Sequence, residues 1–165
     1  MSNALRFDFI VDKDTHSLHI KREFAAKRQT VWDCYTKREL LDRWYAPKPL
    51  RTVTKSMDFR EGGHWVFAMI EPSGTEHWSR TDYLSIKPID SFTGMDGFCN
   101  DKGELNPHLP RSNVEVKFSD LHQHTLMETV VVYSCAEALQ TVIEMGMEGG
   151  LKSTLECLDE LLLQL

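Results

Sequence analysis

Ser134–Leu165 reads SCAEALQTVIEMGMEGGLKSTLECLDELLLQL. Apolar residues recur in it at Leu139, Val142, Ile143, Met147, Leu151, Leu155, Leu158, Leu161, Leu162 and Leu165. Steps of three and four place them on one stripe of an α-helix. Ser134 with Glu137 three residues later reads as a capping box that opens this helix. The pattern predicts a single helix to the end of the chain, roughly 45 Å long at about 1.5 Å per residue, enough to cross a small domain. Gly146, Gly149 and Gly150 fall inside it, where each costs on the order of 1 kcal/mol relative to alanine. Glycines so placed point to close approach of another backbone or of a ligand, or to a bend.

A helix with one apolar stripe needs a cover, and the preceding chain supplies strands. Leu5, Phe7, Phe9 and Val11 alternate with polar residues, residues 12–17 carry turn chemistry, and Leu18, Ile20 and Phe24 alternate again, which reads as a β-hairpin. Val31, Trp32 and Tyr35 suit a short helix. Thr36 with Glu39 forms a second capping box before Leu40, Leu41 and Trp44, and Pro47 and Pro49 stop that helix. Period two then returns through Val53–Phe59, His64–Ile70, Trp78–Ile86, Phe92–Phe98, Val114–Phe118 and Leu126–Tyr133, read as about five further strands. Residues 100–111, with Gly103, Pro107 and Pro110, form the longest loop and a candidate lid or rim. Strands, two short helices, more strands and a long helix make an α+β fold, a curved antiparallel sheet gripping the last helix.

Composition limits what such a fold does. At 165 residues, 41% hydrophobic and 27% charged, one domain spanning 1–165 is expected. A net charge of −6 argues against nucleic acid as a partner, since phosphate binding needs a basic face. No apolar run is long enough to span a bilayer and no signal-peptide layout opens the chain, so no membrane association is expected. Ser2, Asn3 and Ala4 resemble a cloning remnant and carry no weight. Cys34, Cys99, Cys135 and Cys157 lie far apart with no C-x-x-C pair, which argues against zinc and suggests reduced thiols in a cytoplasmic protein.

Three motifs in order carry a family resemblance. Val31-Trp32-Asp33 followed by Glu39-Leu40-Leu41-Asp42-Arg43-Trp44-Tyr45-Ala46-Pro47 is the first, and Asp58-Phe59-Arg60-Glu61-Gly62-Gly63-His64-Trp65 the second. Met145-Gly146-Met147-Glu148-Gly149-Gly150, with Leu155, Leu158, Leu161 and Leu162 after it, is the third. The chain resembles the activator-of-Hsp-ninety-ATPase homologues of the START-like (SRPBCC, Bet v 1-like) superfamily, from about Ile20 to its end. The resemblance implies a helix-grip fold with a cavity between sheet and long helix. It also implies binding of an apolar small molecule, with catalysis on such a molecule or a chaperone-cofactor role as alternatives. Leu151 stands where many relatives carry tryptophan. The eponymous co-chaperone resembles the chain only in its C-terminal part, so a chaperone partner is not expected of these 165 residues.

The residues themselves add candidates. Seven histidines invite a metal reading, but His16 and His19, and His122 and His124, flank turns without a third ligand suggested, and they read as solvated; no metal and no cofactor is expected. Asp82, Glu128, His64, Arg80 and Tyr83 lie in strands and face either the cavity or water. For the two carboxylates the outward reading is favoured, because unpartnered buried carboxylates are costly. No G-x-S-x-G, phosphate-binding loop, G-x-G-x-x-G or H-E-x-x-H is present, so no catalytic residue is assigned. Trp65, Phe67 and Met69 alternate on one strand face, and Gly146 and Gly150, four apart, share a helix face beside Met147. These six are the candidate cavity residues: missing side chains leave room and methionine adapts its shape. The alternative is that the glycines only bend the helix or let it approach closely, with aromatic side chains filling the space.

Overall fold

A computed structural model describes residues 5–165; Ser2, Asn3 and Ala4 lie outside the described residues. The first alternating runs become β1 (Phe7–Asp12) and β2 (Ser17–Phe24), antiparallel with Phe9 opposite Ile20. Next come α1 (Arg28–Thr36) and α2 (Arg38–Trp44). Six strands follow rather than about five: β3 (Arg51–Asp58), β4 (His64–Ile70), β5 (Glu76–Lys87), β6 (Ser91–Phe98), β7 (Ser112–Asp120) and β8 (Thr125–Tyr133). They join one antiparallel sheet in the order β1-β2-β8-β7-β6-β5-β4-β3. The chain leaves the sheet after β2, re-enters at the far edge with β3, and works back until β8 pairs with β2. The fold is α+β, of helix-grip type, with the helices on the concave face.

Local sequence explains the curvature. Register shifts between Thr54 and Ser56 on β3 and between Tyr83 and Ser85 on β5 bend their strands. Gly94 on β6 allows its neighbour in: a Cβ there would meet the Asp82 carbonyl oxygen at 2.9 Å. Inside the curve, Trp32 packs edge-on against Phe59, Phe92 and Phe118 at 5.7–6.0 Å between ring centroids. Leu155 and Leu158 are 1% and 0% exposed, so the helical stripe reaches the core as its spacing predicts, each side chain contributing about 1.5–3 kcal/mol by burial.

The long helix is not continuous. It divides into α3 (Ala136–Glu144) and α4 (Met147–Leu162). Gly146 between them has φ +84°, a left-handed conformation that glycine adopts without steric cost, and its N–H donates to the Ile143 carbonyl at 3.0 Å. The apolar stripe survives this break because both segments face the same sheet, which is why periodicity alone reads them as one.

Neither capping box forms. Cys135, not Ser134, is the N-cap of α3, and no side chain caps it. Thr36 is the last residue of α1 rather than the cap of α2: its hydroxyl donates back to the Trp32 carbonyl at 2.8 Å, and Lys37 takes the cap position.

The loop at 100–111 is mostly an outer strap rather than a lid. The Gly103 carbonyl accepts from Arg80 Nη1 at 2.7 Å, and the Asp101 carbonyl accepts from Lys55. The strap lies against Val66, which with Ala68 points away from the concave face yet is only 5% and 1% exposed, respectively. No helix of the described residues is long and apolar enough to cross a membrane.

Candidate functional site

Between the concave sheet face and the helices lies a cavity of about 460 Å³. Strand alternation puts Trp65, Phe67 and Met69 of β4 on its wall, and α4 brings Met147, Gly150 and Leu151 to the opposite side, with Gly146 at the helix junction. The six sequence candidates therefore come together around one space. A Cβ built at Gly149 or Gly150 meets nothing within 4 Å, so neither glycine is required by close backbone approach. Gly149 is exposed, whereas Gly150 leaves open room at the cavity wall.

The aromatic wall is held rigidly. The Trp65 and Phe67 rings stack at 3.9 Å, and Tyr45 sets its edge against both at 5.0 and 5.7 Å. The Trp65 indole N–H donates to Thr54 Oγ1 at 3.0 Å, and that hydroxyl donates to Asp42 Oδ1 at 2.6 Å. The tryptophan is thus oriented through a hydrogen-bond relay from α2, which fixes the shape of the wall.

Most polar residues of this space lie on β5 to β8, with Thr154 on α4. Asp96 pairs with Thr81 on one side and Ser112 on the other, and its Oδ1 accepts from the Thr81 hydroxyl at 2.6 Å. Asp96 is part-buried and lines the cavity; burial pushes its carboxyl above the usual carboxylate range, against the Thr81 hydrogen bond and the charge of Arg111, which favour the anion. Burial likewise raises the phenols of Tyr45, Tyr83 and Tyr133, the last pushed up to about 12, and the nearby Asp96 charge adds to each shift. All three tyrosines line the cavity.

Of the ambiguous strand residues, Tyr83 faces inward and is 3% exposed. Asp82 lies on the outer face, where Arg80 Nη2 and Arg111 Nη2 reach its two oxygens at 2.6 and 2.5 Å; both hold its carboxyl below the usual range despite partial burial. His64 faces outward beside Ser56 at 3.0 Å, and Glu128 is half-exposed near Lys21. His124 Nδ1 lies 2.8 Å from Glu23 and His19 Nε2 lies 2.9 Å from Ser17 Oγ; among the described residues no group of three or more potential ligands could hold a metal. A smaller recess of about 220 Å³ between α2 and α4 is bordered by Arg43, Lys48 and Glu160 and has no comparable aromatic wall.

Asp96 is the residue that the sequence reading passes over, although a signal existed. Phe92, Gly94, Asp96 and Phe98 alternate on one strand, and the two phenylalanines mark that face as inward. An aspartate between them has to share it.

Comparison with known proteins places this architecture. The family model described as "Activator of Hsp90 ATPase homolog 1-like protein" matches residues 25–163. The crystal structure of protein Ms6760 from Mycobacterium smegmatis is similar at 30% identity and a TM-score of 0.88, covering 96% of this chain and 97% of that one. The solution structure of a protein from Arthrobacter aurescens is similar at 26% identity and a TM-score of 0.89, covering 96% and 92%. A second solution structure, from Staphylococcus epidermidis, is similar at 27% identity and a TM-score of 0.82, covering 93% of each. None of the curated proteins matches. With its model matched from the first helix almost to the last residue, the chain belongs to the family of activator of Hsp90 ATPase homolog 1-like proteins.

Proposed function

We propose that this protein is a binding module for one small, largely apolar molecule held between sheet and helices. The observation that carries this reading is a cavity of about 460 Å³ walled by Trp65, Phe67 and Met69 opposite a helix glycine, Gly150, whose missing side chain keeps it open. Small-molecule pockets run from about 300 to 1,000 Å³ with mainly apolar walls and a few placed polar groups, and this space has both. The reading places the protein in the cytoplasm, in keeping with four free cysteines. Titration with the neutral apolar fluorophore N-phenyl-1-naphthylamine tests it. One saturable site per chain, displaced by unlabelled naphthalene compounds, is expected; no saturable site in the folded protein would refute it.

Asp96 supports a second reading, an enzyme that uses this carboxyl as general acid or base on such a molecule. Prolonged incubation separates the two: a ligand recovered unchanged supports the binding module. A ligand consumed by the protein but left intact by Asp96→Asn supports the enzyme.

A further inference from the structure

The polar end of the cavity says what chemistry its occupant carries; this inference rests on the binding reading above. Asp96, which lines the cavity, uses one oxygen on Thr81, and among the described residues nothing donates to the other. Among the described residues Arg80 is the basic residue that borders this space, and its guanidinium is spent on Asp82 and the Gly103 carbonyl. Arg80 and Arg111 lie on the outer face, both engaged by Asp82. Arg22, buried on the inner face, is bound to Asp159 of α4 and takes no part in the cavity wall. Aromatic side chains line the same cavity: Tyr45, Tyr83, Phe92, and the Trp65–Phe67 stack.

A part-buried carboxyl that no cation bonds directly, in a cavity lined by aromatic rings, is the complement of an ammonium group. The rings attract a cation through their quadrupoles, and a charge-assisted hydrogen bond to the carboxylate supplies what the protein lacks. A ligand carboxylate entering the same space meets a like charge, and the nearby Arg80 and Arg111 are already bound to Asp82. We infer that the cavity selects an apolar, aromatic-sized molecule bearing a primary or secondary amine, held with its ammonium on Asp96, and rejects carboxylic acids of the same skeleton.

A matched series tests this on the full chain at neutral pH: 1-naphthylmethylamine, 1-naphthalenemethanol, 1-acetonaphthone and 1-naphthylacetate, each displacing N-phenyl-1-naphthylamine. The amine should bind about tenfold or more tighter than the alcohol, the range a charge-assisted hydrogen bond supplies, and the acid should bind more weakly than either. Asp96→Asn keeps shape and removes charge, so it should erase the amine preference while leaving the alcohol's affinity within about twofold, the small change expected when no charged group is involved. Glu128→Gln, on the outer face, should leave the preference intact and so shows that overall negative charge is not its source. Equal affinity for amine and alcohol, a preference for the ketone, or an amine preference that survives in Asp96→Asn overturns the inference while the binding reading stands. Failure of the fluorophore and all four compounds to bind overturns that reading and the inference with it.

Discussion

Filling the cavity from the helix side should tighten the fold and abolish binding at once. At Gly150 the backbone is helical, and an added Cβ meets nothing within 4 Å, so Gly150→Leu introduces no clash at its first atom. Replacing a helix glycine with leucine gains about 1 kcal/mol of helix propensity. Burying the new side chain in the cavity adds up to about 1.5–3 kcal/mol. A net gain of about 2 kcal/mol raises the melting midpoint by roughly 4–8 °C in a domain of this size. The same side chain occupies the space proposed for the ligand, so N-phenyl-1-naphthylamine affinity should fall at least about tenfold, the equivalent of about 1.4 kcal/mol. Gly146→Leu is the control. It also opens onto empty space, but φ of +84° makes leucine there cost about 1–2 kcal/mol, so its midpoint should fall. Thermal melts by circular dichroism with parallel probe titrations read both effects. A Gly150→Leu protein that melts lower and binds the probe as before would show that position 150 does not face the site.

Three further outcomes follow from packing and charge. Leu155→Ala, at a position 1% exposed, should cost about 2–5 kcal/mol in urea unfolding, whereas a loss below about 0.5 kcal/mol, the level of a surface change, would place the stripe elsewhere. Asp96→Asn should stabilise the protein at neutral pH. The folded carboxyl holds its proton to higher pH than the unfolded chain does, so wild-type stability falls as pH rises through that window, and the variant's advantage should vanish below the ordinary aspartate value of about 3.9; an advantage independent of pH would contradict the burial of the charge. Cys34, fully buried with its thiol pushed up to about 11, should resist iodoacetamide in the native protein and react only on unfolding, as peptide mass mapping would show; rapid native labelling would contradict its placement.

Periodicity was enough to find the sheet face and the helix stripe, because both reflect burial that recurs at fixed intervals along the chain. Trp65, Phe67 and Met69 line one cavity with Met147 and Gly150 for that reason. The break at Gly146 escaped because two helices packed on one sheet preserve the phase of their apolar residues across a single left-handed glycine. The capping boxes misled because Ser134 and Thr36 carry the right chemistry one position away from the caps the backbone uses. Asp96 was readable from the alternation of Phe92 and Phe98, but its lack of a directly bonded cation was not, since that depends on Arg80 and Arg111 both pairing with Asp82. The loop at 100–111 has the composition of a lid; its placement on the outer face follows from the hydrogen bond between Arg80 and Gly103, which no local pattern announces.

The location of the site can be read atom by atom from nitrogen–proton correlation spectra of the labelled protein titrated with 1-naphthalenemethanol. The indole N–H of Trp65 and the amides of Phe67, Gly150 and Leu151 should shift together along one saturating curve, while amides of β1 stay fixed. Shifts confined to the outer face around Val66 and Gly103, or none at saturating compound, would contradict a ligand site between sheet and helices.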